Sequence, residues 1–249
     1  VPPFFVPPGK TDDARPLHRL PFLVMMGTLT RCHPLEPRLM IFRPSAEDVL
    51  LVVDVQNDFC SGGALAVPEG EAVVPVVNAL AERFQTVILT QDWHPAGHVS
   101  FASRHERPAF STIDLDYGTQ VLWPDHCVQG TDGASFHPAL HVPHAQAVVR
   151  KGYHPEIDSY SAFLEADHTT PTGLTGYLRE RSVRRVFAVG LATDFCVLWT
   201  ALDAAKAGFS VAVIEDACRA IDLDGSLDRA WSAMREAGVE RIESPSISG

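Results

Sequence analysis

Paired cysteines are missing. The five present (Cys32, Cys60, Cys127, Cys196, Cys218) are odd in number and scattered, with no C-x-x-C arrangement among them. That excludes a disulfide framework and predicts a reduced chain in the cytoplasm. Basic residues are scarce: 20 Lys and Arg face 31 Asp and Glu, a net charge of −11. Nucleic acid and anionic membrane surfaces both demand a cationic face, so neither is expected as a partner. No apolar run reaches the roughly 18 residues of a membrane span. Internal repeats and low-complexity tracts are absent from residue 40 onward. What remains is a soluble globular chain, and 249 residues are ample for one large domain.

Residues 1–39 differ from the rest. They hold eight of the 19 prolines and show no helical or strand periodicity. "PFLVMMGTLT" follows Arg15 and Arg19 in the manner of a signal peptide, but it starts late and leads into "RCHP" without a small-residue cleavage site. The expectation is a disordered N-terminal extension over 1–39 and one hydrolase domain over 40–249, beginning near Met40.

From there strands and helices alternate. "DVLLVVDV" (48–55) is a continuous apolar run of the kind buried on both faces of a parallel sheet. "EGEAVVPVVNALAERF" (69–84) has helical spacing, and "QTVILTQD" (85–92) reads as a second strand. After a long irregular stretch come strands at 145–151, 183–190, 209–217 and 239–244, with helices at 173–182, 194–208 and 226–238 between them. This pattern predicts a three-layer α/β/α domain around a mainly parallel sheet, in which ligands bind at the carboxyl ends of the strands. Asp54, Asp92, Lys151 and the "GLATDFC" segment all fall at that edge.

Cys196 is predicted in the first turn of a helix, with Thr193 or Asp194 as N-cap; unpaired N–H groups there should lower its pKa. The plainer reading is a small buried apolar side chain. Asp54 and Lys151 are costly at buried strand ends unless paired or functional. Together with Cys196 they make a nucleophile, a general base and a cation that holds the charges; alone they make a salt bridge. In "TQDWHPAGHVSF", Asp92 and His94 leave a strand end, and the "PAG" turn returns the chain to His98. His126 lies in the loop "LWPDHCVQG". One carboxylate and three imidazoles suit one divalent metal ion, Zn2+ first, with Fe2+ or Mn2+ as alternatives; solvated loop histidines are the other reading. Phe59 and Trp123 flank this region as packing residues, or as walls for a planar aromatic substrate.

Five segments in order, "VVDVQNDFCSGGALAV", "TQDWHPAGHVSF", "LWPDHCVQGTDGASFHP", "VVRKGYHPEIDSYSAF" and "VGLATDFCVLWTALDA", resemble the nicotinamidases (pyrazinamidases) of the isochorismatase-like cysteine hydrolase superfamily. The resemblance runs from about residue 48 to 243. It implies a six-stranded parallel sheet and an amidase that converts nicotinamide to nicotinate and ammonia through a cysteine thioester. It further implies Asp54, Lys151 and Cys196 as triad, Asp92, His94, His98 and His126 as metal ligands, and Phe59 and Trp123 around the pyridine ring. A cis peptide would fall at Ala192–Thr193, with the Ala192 and Cys196 amides as oxyanion hole. Isochorismatases and carbamoyl-amide hydrolases lack that metal set; a hydrolase using metal-bound water would not need Cys196. Oligomeric state stays open between monomer and homo-oligomer.

Overall fold

A computed structural model of the chain describes residues 41–248, so the extension expected over 1–39 lies outside the described residues. The chain runs through β1 (Asp48–Val53), α1 (Val73–Ala81), β2 (Thr86–Asp92), a hairpin of β3 (Thr112–Leu115) and β4 (Gly118–Val121), then β5 (Ala147–Lys151). It continues through α2 (Leu174–Glu180), β6 (Arg185–Leu191), a π-helical turn (Thr193–Val197), α3 (Leu198–Lys206), β7 (Ser210–Arg219), α4 (Ser226–Glu236) and β8 (Glu240–Ile242).

Six strands form one sheet in the order β5-β2-β1-β6-β7-β8, and every pair is parallel. Period-two alternation sorts β1 between two cores. Leu50 and Val52 pack with Val73, Val77 and Leu80 of α1 on one face. Val49, Leu51 and Val53 pack on the other with Leu174 and Leu178 of α2, Ala201 and Ala204 of α3, and Ala230 of α4. An unbroken apolar run is what a strand covered on both sides requires, and each buried Val or Leu contributes about 1.5–3 kcal/mol. The predicted three-layer parallel architecture is the one found.

Strand order reverses between β1 and β6. After β1 the chain moves outward to β2 and β5, then returns to place β6 on β1's other side. A crevice opens at the carboxyl ends of two such strands, here next to Asp54 and the π-helical turn.

Two features depart from the reading of the sequence. The hairpin β3–β4 lies inside the stretch expected to be irregular; its strands have four residues each and are only partly buried, so their alternation is faint. The helix expected over 194–208 is divided into the π-helical turn and α3.

Candidate active site

Asp54 leaves β1 with a left-handed φ of 48°, which turns its side chain into the crevice. Its Oδ1 accepts from the Thr90 hydroxyl at 2.5 Å, and the Asp54 amide donates to Thr90 Oγ1 at 3.1 Å. Lys151, at the end of β5, is completely buried. Its ammonium lies 2.8 Å from Asp54 Oδ2, bonds Asp92 Oδ1, and reaches the Ser159 carbonyl at 3.3 Å and Cys196 Sγ at 3.5 Å. Parallel pairing aligns Asp92 of β2 with Lys151 of β5. The ends of β1 and β5 and the π-helical turn thus bring the expected triad together, with Asp92 from the end of β2 beside it.

The electrostatics follow from burial. Lys151 is held well above its ordinary pKa: burial disfavours its charge, but Asp54 and then Asp92 outweigh that. Asp92 is held well below the carboxylate range, since Lys151 and His94 overcome its desolvation. Asp54 is raised, because burial and Asp92 together outweigh Lys151. Cys196 corrects an expectation. Its thiol is pushed well above the ordinary value, not lowered, because burial dominates and Asp54 and Asp92 oppose the pull of Lys151. Both shifts favour the neutral form, so the Cys196 thiol and the Asp54 carboxyl, raised together by burial, lie side by side.

Asp194 corrects another. Neither it nor Thr193 caps the turn that carries Cys196. Its carboxylate instead accepts from the Ile221 and Asp222 amides at 3.0 and 2.8 Å and from the Ser226 hydroxyl. It ties the turn that carries Cys196 to the loop before α4. The cis peptide is Leu191–Ala192, one bond earlier than expected; the run G-L-A-T carries no local signal that distinguishes one bond from the next.

Asp92, His94 and His126 converge, with Asp92 Oδ2 3.5 Å from His94 Nε2 and 3.8 Å from His126 Nε2. His94 Nδ1 is 2.9 Å from the Gly152 carbonyl, and His126 Nδ1 is 2.8 Å from the Pro124 carbonyl. A carbonyl can only accept, so each proton sits on Nδ1 and both Nε2 lone pairs point toward Asp92, the arrangement of metal-binding histidines. Three acceptors turned on one another need a cation between them, either a proton on His94, whose pKa Asp92 raises against its burial, or a divalent metal, and the donor set fits the metal. His98 is placed differently. It stacks on His94 at 4.3 Å between ring centroids, and its Nε2 faces the Ile157 carbonyl at 3.1 Å. It groups with His94 and Asp158. Burial and the neighbouring His94 push its pKa down to about 4.

A clamp below holds these loops in register. The Cys127 amide donates to Asp58 Oδ2 at 2.7 Å, and the Cys127 carbonyl accepts from the His94 amide at 3.0 Å. The Gln56 side chain binds both the amide and the carbonyl of Asp92, at 2.8 and 2.9 Å.

Phe59, Trp123, Ala192 and Cys196 line one pocket of about 360 Å³ with Asp92, His94 and His126. Leu65, Asp158, Ser159, Tyr160, Phe195 and Ile221 complete it. Nothing in the sequence alone distinguishes these six. Tyr160, whose hydroxyl accepts from Trp123 Nε1 at 3.1 Å, lies in the "YHPEIDSYSAF" segment, and Phe195 directly precedes Cys196; adjacency to marked residues was the only signal. The remaining described cysteines are buried and unpaired; burial pushes Cys60 up to about 11 and Cys218 up to about 12, values of inert thiols.

The isochorismatase domain family matches residues 48–246. A nicotinamidase of Acinetobacter baylyi is 58% identical over 199 residues, 80% of this chain and 93% of that protein. The PnC1 protein of L. infantum, solved in complex with nicotinate, is 40% identical with a TM-score of 0.74, covering 84% of this chain and 98% of that one. A pyrazinamidase of Pyrococcus horikoshii, solved in complex with zinc, is 37% identical with a TM-score of 0.66, covering 79% and 99%.

Proposed function

The chain belongs to the isochorismatase domain family, and from that premise we propose that it is a nicotinamidase, hydrolysing nicotinamide, and pyrazinamide as well, to the acid and ammonia. One observation carries the reading. The Lys151 ammonium touches Asp54 and Asp92 and reaches Cys196 Sγ at 3.5 Å, so a nucleophile and its acid–base partner share one charge cluster with the imidazole site. The nicotinamidase name of the A. baylyi relative and the nicotinate in the L. infantum structure support the substrate.

Phe59 and Trp123 hold the pyridine ring between them, with the carboxamide carbon over Cys196. Asp54 takes the thiol proton and the sulfur attacks the carbonyl carbon. The oxyanion that forms faces the Ala192 and Cys196 amides; a donor of this kind is worth about 10²–10³ in rate. The C–N bond breaks, and ammonia leaves with the proton from Asp54. Water then adds to the thioester, giving its proton to Asp54, and the acid departs as the thiol re-forms. Lys151 stays charged throughout and keeps Asp54 and Asp92 from repelling each other.

Asp92, His94 and His126 would hold the metal, with His98 joining them only if its Nε2 leaves the Ile157 carbonyl. Zinc is the first choice, given the zinc-bound P. horikoshii neighbour, with iron or manganese also suited to the donors. When bound, such an ion supplies a Lewis-acid position for a pyridine nitrogen or water. Turnover would feed salvage of nicotinamide towards NAD. The buried free thiols are in keeping with a reducing, cytoplasmic setting. No described helix is long and apolar enough to cross a membrane.

The test is ammonia release from nicotinamide by the wild type and by Cys196→Ala. Release by the wild type, with a drop of at least about 10³-fold in the folded variant, is the expected result. Equal release from both would transfer the chemistry to metal-bound water. No release from metal-loaded wild type would refute the substrate.

A further inference from the structure

Two carboxyl groups, those of Asp92 and Asp158, line the pocket that holds Cys196. Asp92 is engaged by Lys151, His94 and His126. Asp158 has no task in the catalytic scheme, yet it is 2% exposed and sits beside the imidazoles. One of its carboxyl oxygens lies within 4.8 Å of a ring nitrogen of His94 and of one of His98.

The neighbours of Asp158 fix both its place and its form. Oδ1 accepts from the Ser159 amide at 2.8 Å, and Oδ2 accepts from Gln120 Nε2 at 2.6 Å. The same nitrogen donates to the Val121 carbonyl at 2.7 Å, while Gln120 Oε1 accepts from the Tyr117 hydroxyl at 3.2 Å. Those two contacts orient the Gln120 amide with its donor toward Asp158. Both Asp158 oxygens therefore meet donors, the pattern of an ionised carboxylate, which can only accept. Among the described residues, no ion pair joins it to a basic side chain. The Lys151 ammonium is committed to Asp54, Asp92 and the Ser159 carbonyl. A buried charge without a counter-ion is costly, and here it stands at the wall of the substrate pocket.

Substrate and product of an amidase differ in charge far more than in shape. Nicotinamide is neutral, whereas nicotinate is an anion at neutral pH, as carboxylic acids are. A fixed charge acts on the anion much more than on the amide, and water screens it little inside a pocket of about 360 Å³. Lys151 and a metal on Asp92, His94 and His126 would both attract the acid. Asp158 opposes that attraction.

We propose that Asp158 is a specificity-determining residue of this site: its carboxylate disfavours the acid product relative to the neutral amide and so clears the pocket after each turnover. Gln120, reaching in from the β3–β4 hairpin, holds it there. The inference rests on the amidase reading and adds to it a means of product release, a step that limits many enzymes.

The test compares nicotinate with nicotinyl alcohol, a neutral ligand of similar shape, by calorimetry on the zinc-loaded full chain at neutral pH. In Asp158→Asn, affinity for nicotinate relative to the alcohol is expected to rise at least about tenfold, the scale on which like charges discriminate. Asp158→Ser, which also removes the charge, should show the same change. Nicotinate should slow ammonia release from nicotinamide at correspondingly lower concentration in either variant. An unchanged ratio in both folded variants would overturn the proposal and leave the amidase reading standing. An equal gain for both ligands would also overturn it, since pocket shape rather than charge would be the cause. A wild type that binds neither ligand and releases no ammonia would remove the amidase reading and this inference together.

Discussion

Gly152 shows how much a single position can decide. It follows Lys151 directly, its φ is 65°, and its carbonyl receives His94 Nδ1. A Cβ built there would meet His94 Cε1 at 2.4 Å, well inside van der Waals contact. Glycine is required twice, for the backbone conformation and for the approach of the imidazole. Gly152→Ala is expected to displace His94, lower zinc affinity by about 10–100-fold, as changes behind a metal ligand commonly do, and reduce ammonia release with it. Calorimetric zinc titration of the folded variant is the check; wild-type affinity would mean that His94 does not depend on this glycine. The sequence marked Lys151 and His94 separately, but nothing in it linked them through the residue between. Cys196 is similar: its place at a helix start was legible, while its raised pKa depends on Asp54 and Asp92, brought in from distant strands.

At the scale of elements, legibility followed burial. Strands β1 and β2 are buried at every position and β6 at nearly every one, so their apolar runs stood out and their aligned ends could be anticipated. The hairpin β3–β4 is half exposed and was invisible, though it carries Gln120, whose amide binds the buried Asp158 at 2.6 Å. A polar residue opens the buried strand β1. Asp48 accepts from the Ser45 amide and hydroxyl at 2.7 and 2.9 Å and from Arg185 Nε at 2.8 Å, stitching β1 to β6. Burial pulls its pKa up, but Arg185 and Ser45 outweigh that and hold it below 3.8. A depressed carboxylate contributes its stability above its unfolded pKa and loses it as pH falls through the folded value. Asp48→Asn is therefore expected to lower Tm at pH 7 by roughly 3–12 °C, from about 1.5–3 kcal/mol for a hydrogen bond to a charged group. The gap to wild type should narrow once pH drops below 3.8. Thermal melts from pH 7 to 3 test this; a gap independent of pH would assign the loss to something other than charge.

For the molecule as a whole, the longest excursion outside the main sheet is the crossover from the end of β2 at Asp92 to the start of β5 at Ala147. It holds His94 and His126, yet its regular structure is chiefly the small hairpin β3–β4 and one 3₁₀ turn. The His94 amide to Cys127 carbonyl and Gln129 amide to His94 carbonyl bonds, at 3.0 and 2.8 Å, join its two limbs beside the imidazoles. An ion held by Asp92, His94 and His126 would cross-link those limbs in the folded state and much less in the unfolded one. At a free concentration of 100 times Kd, such a ligand adds about 2.7 kcal/mol of stability, roughly 5–10 °C in Tm for a domain of this size. Zinc added to chelator-treated protein should produce that rise, along with slower amide exchange across 94–130, where local opening would otherwise be easiest. His126→Ala should show neither effect while retaining the sheet's own exchange protection. An identical Tm with and without zinc in the wild type would sink the idea that these three side chains form a metal site, and would leave the Lys151 cluster to account for Asp92 on its own.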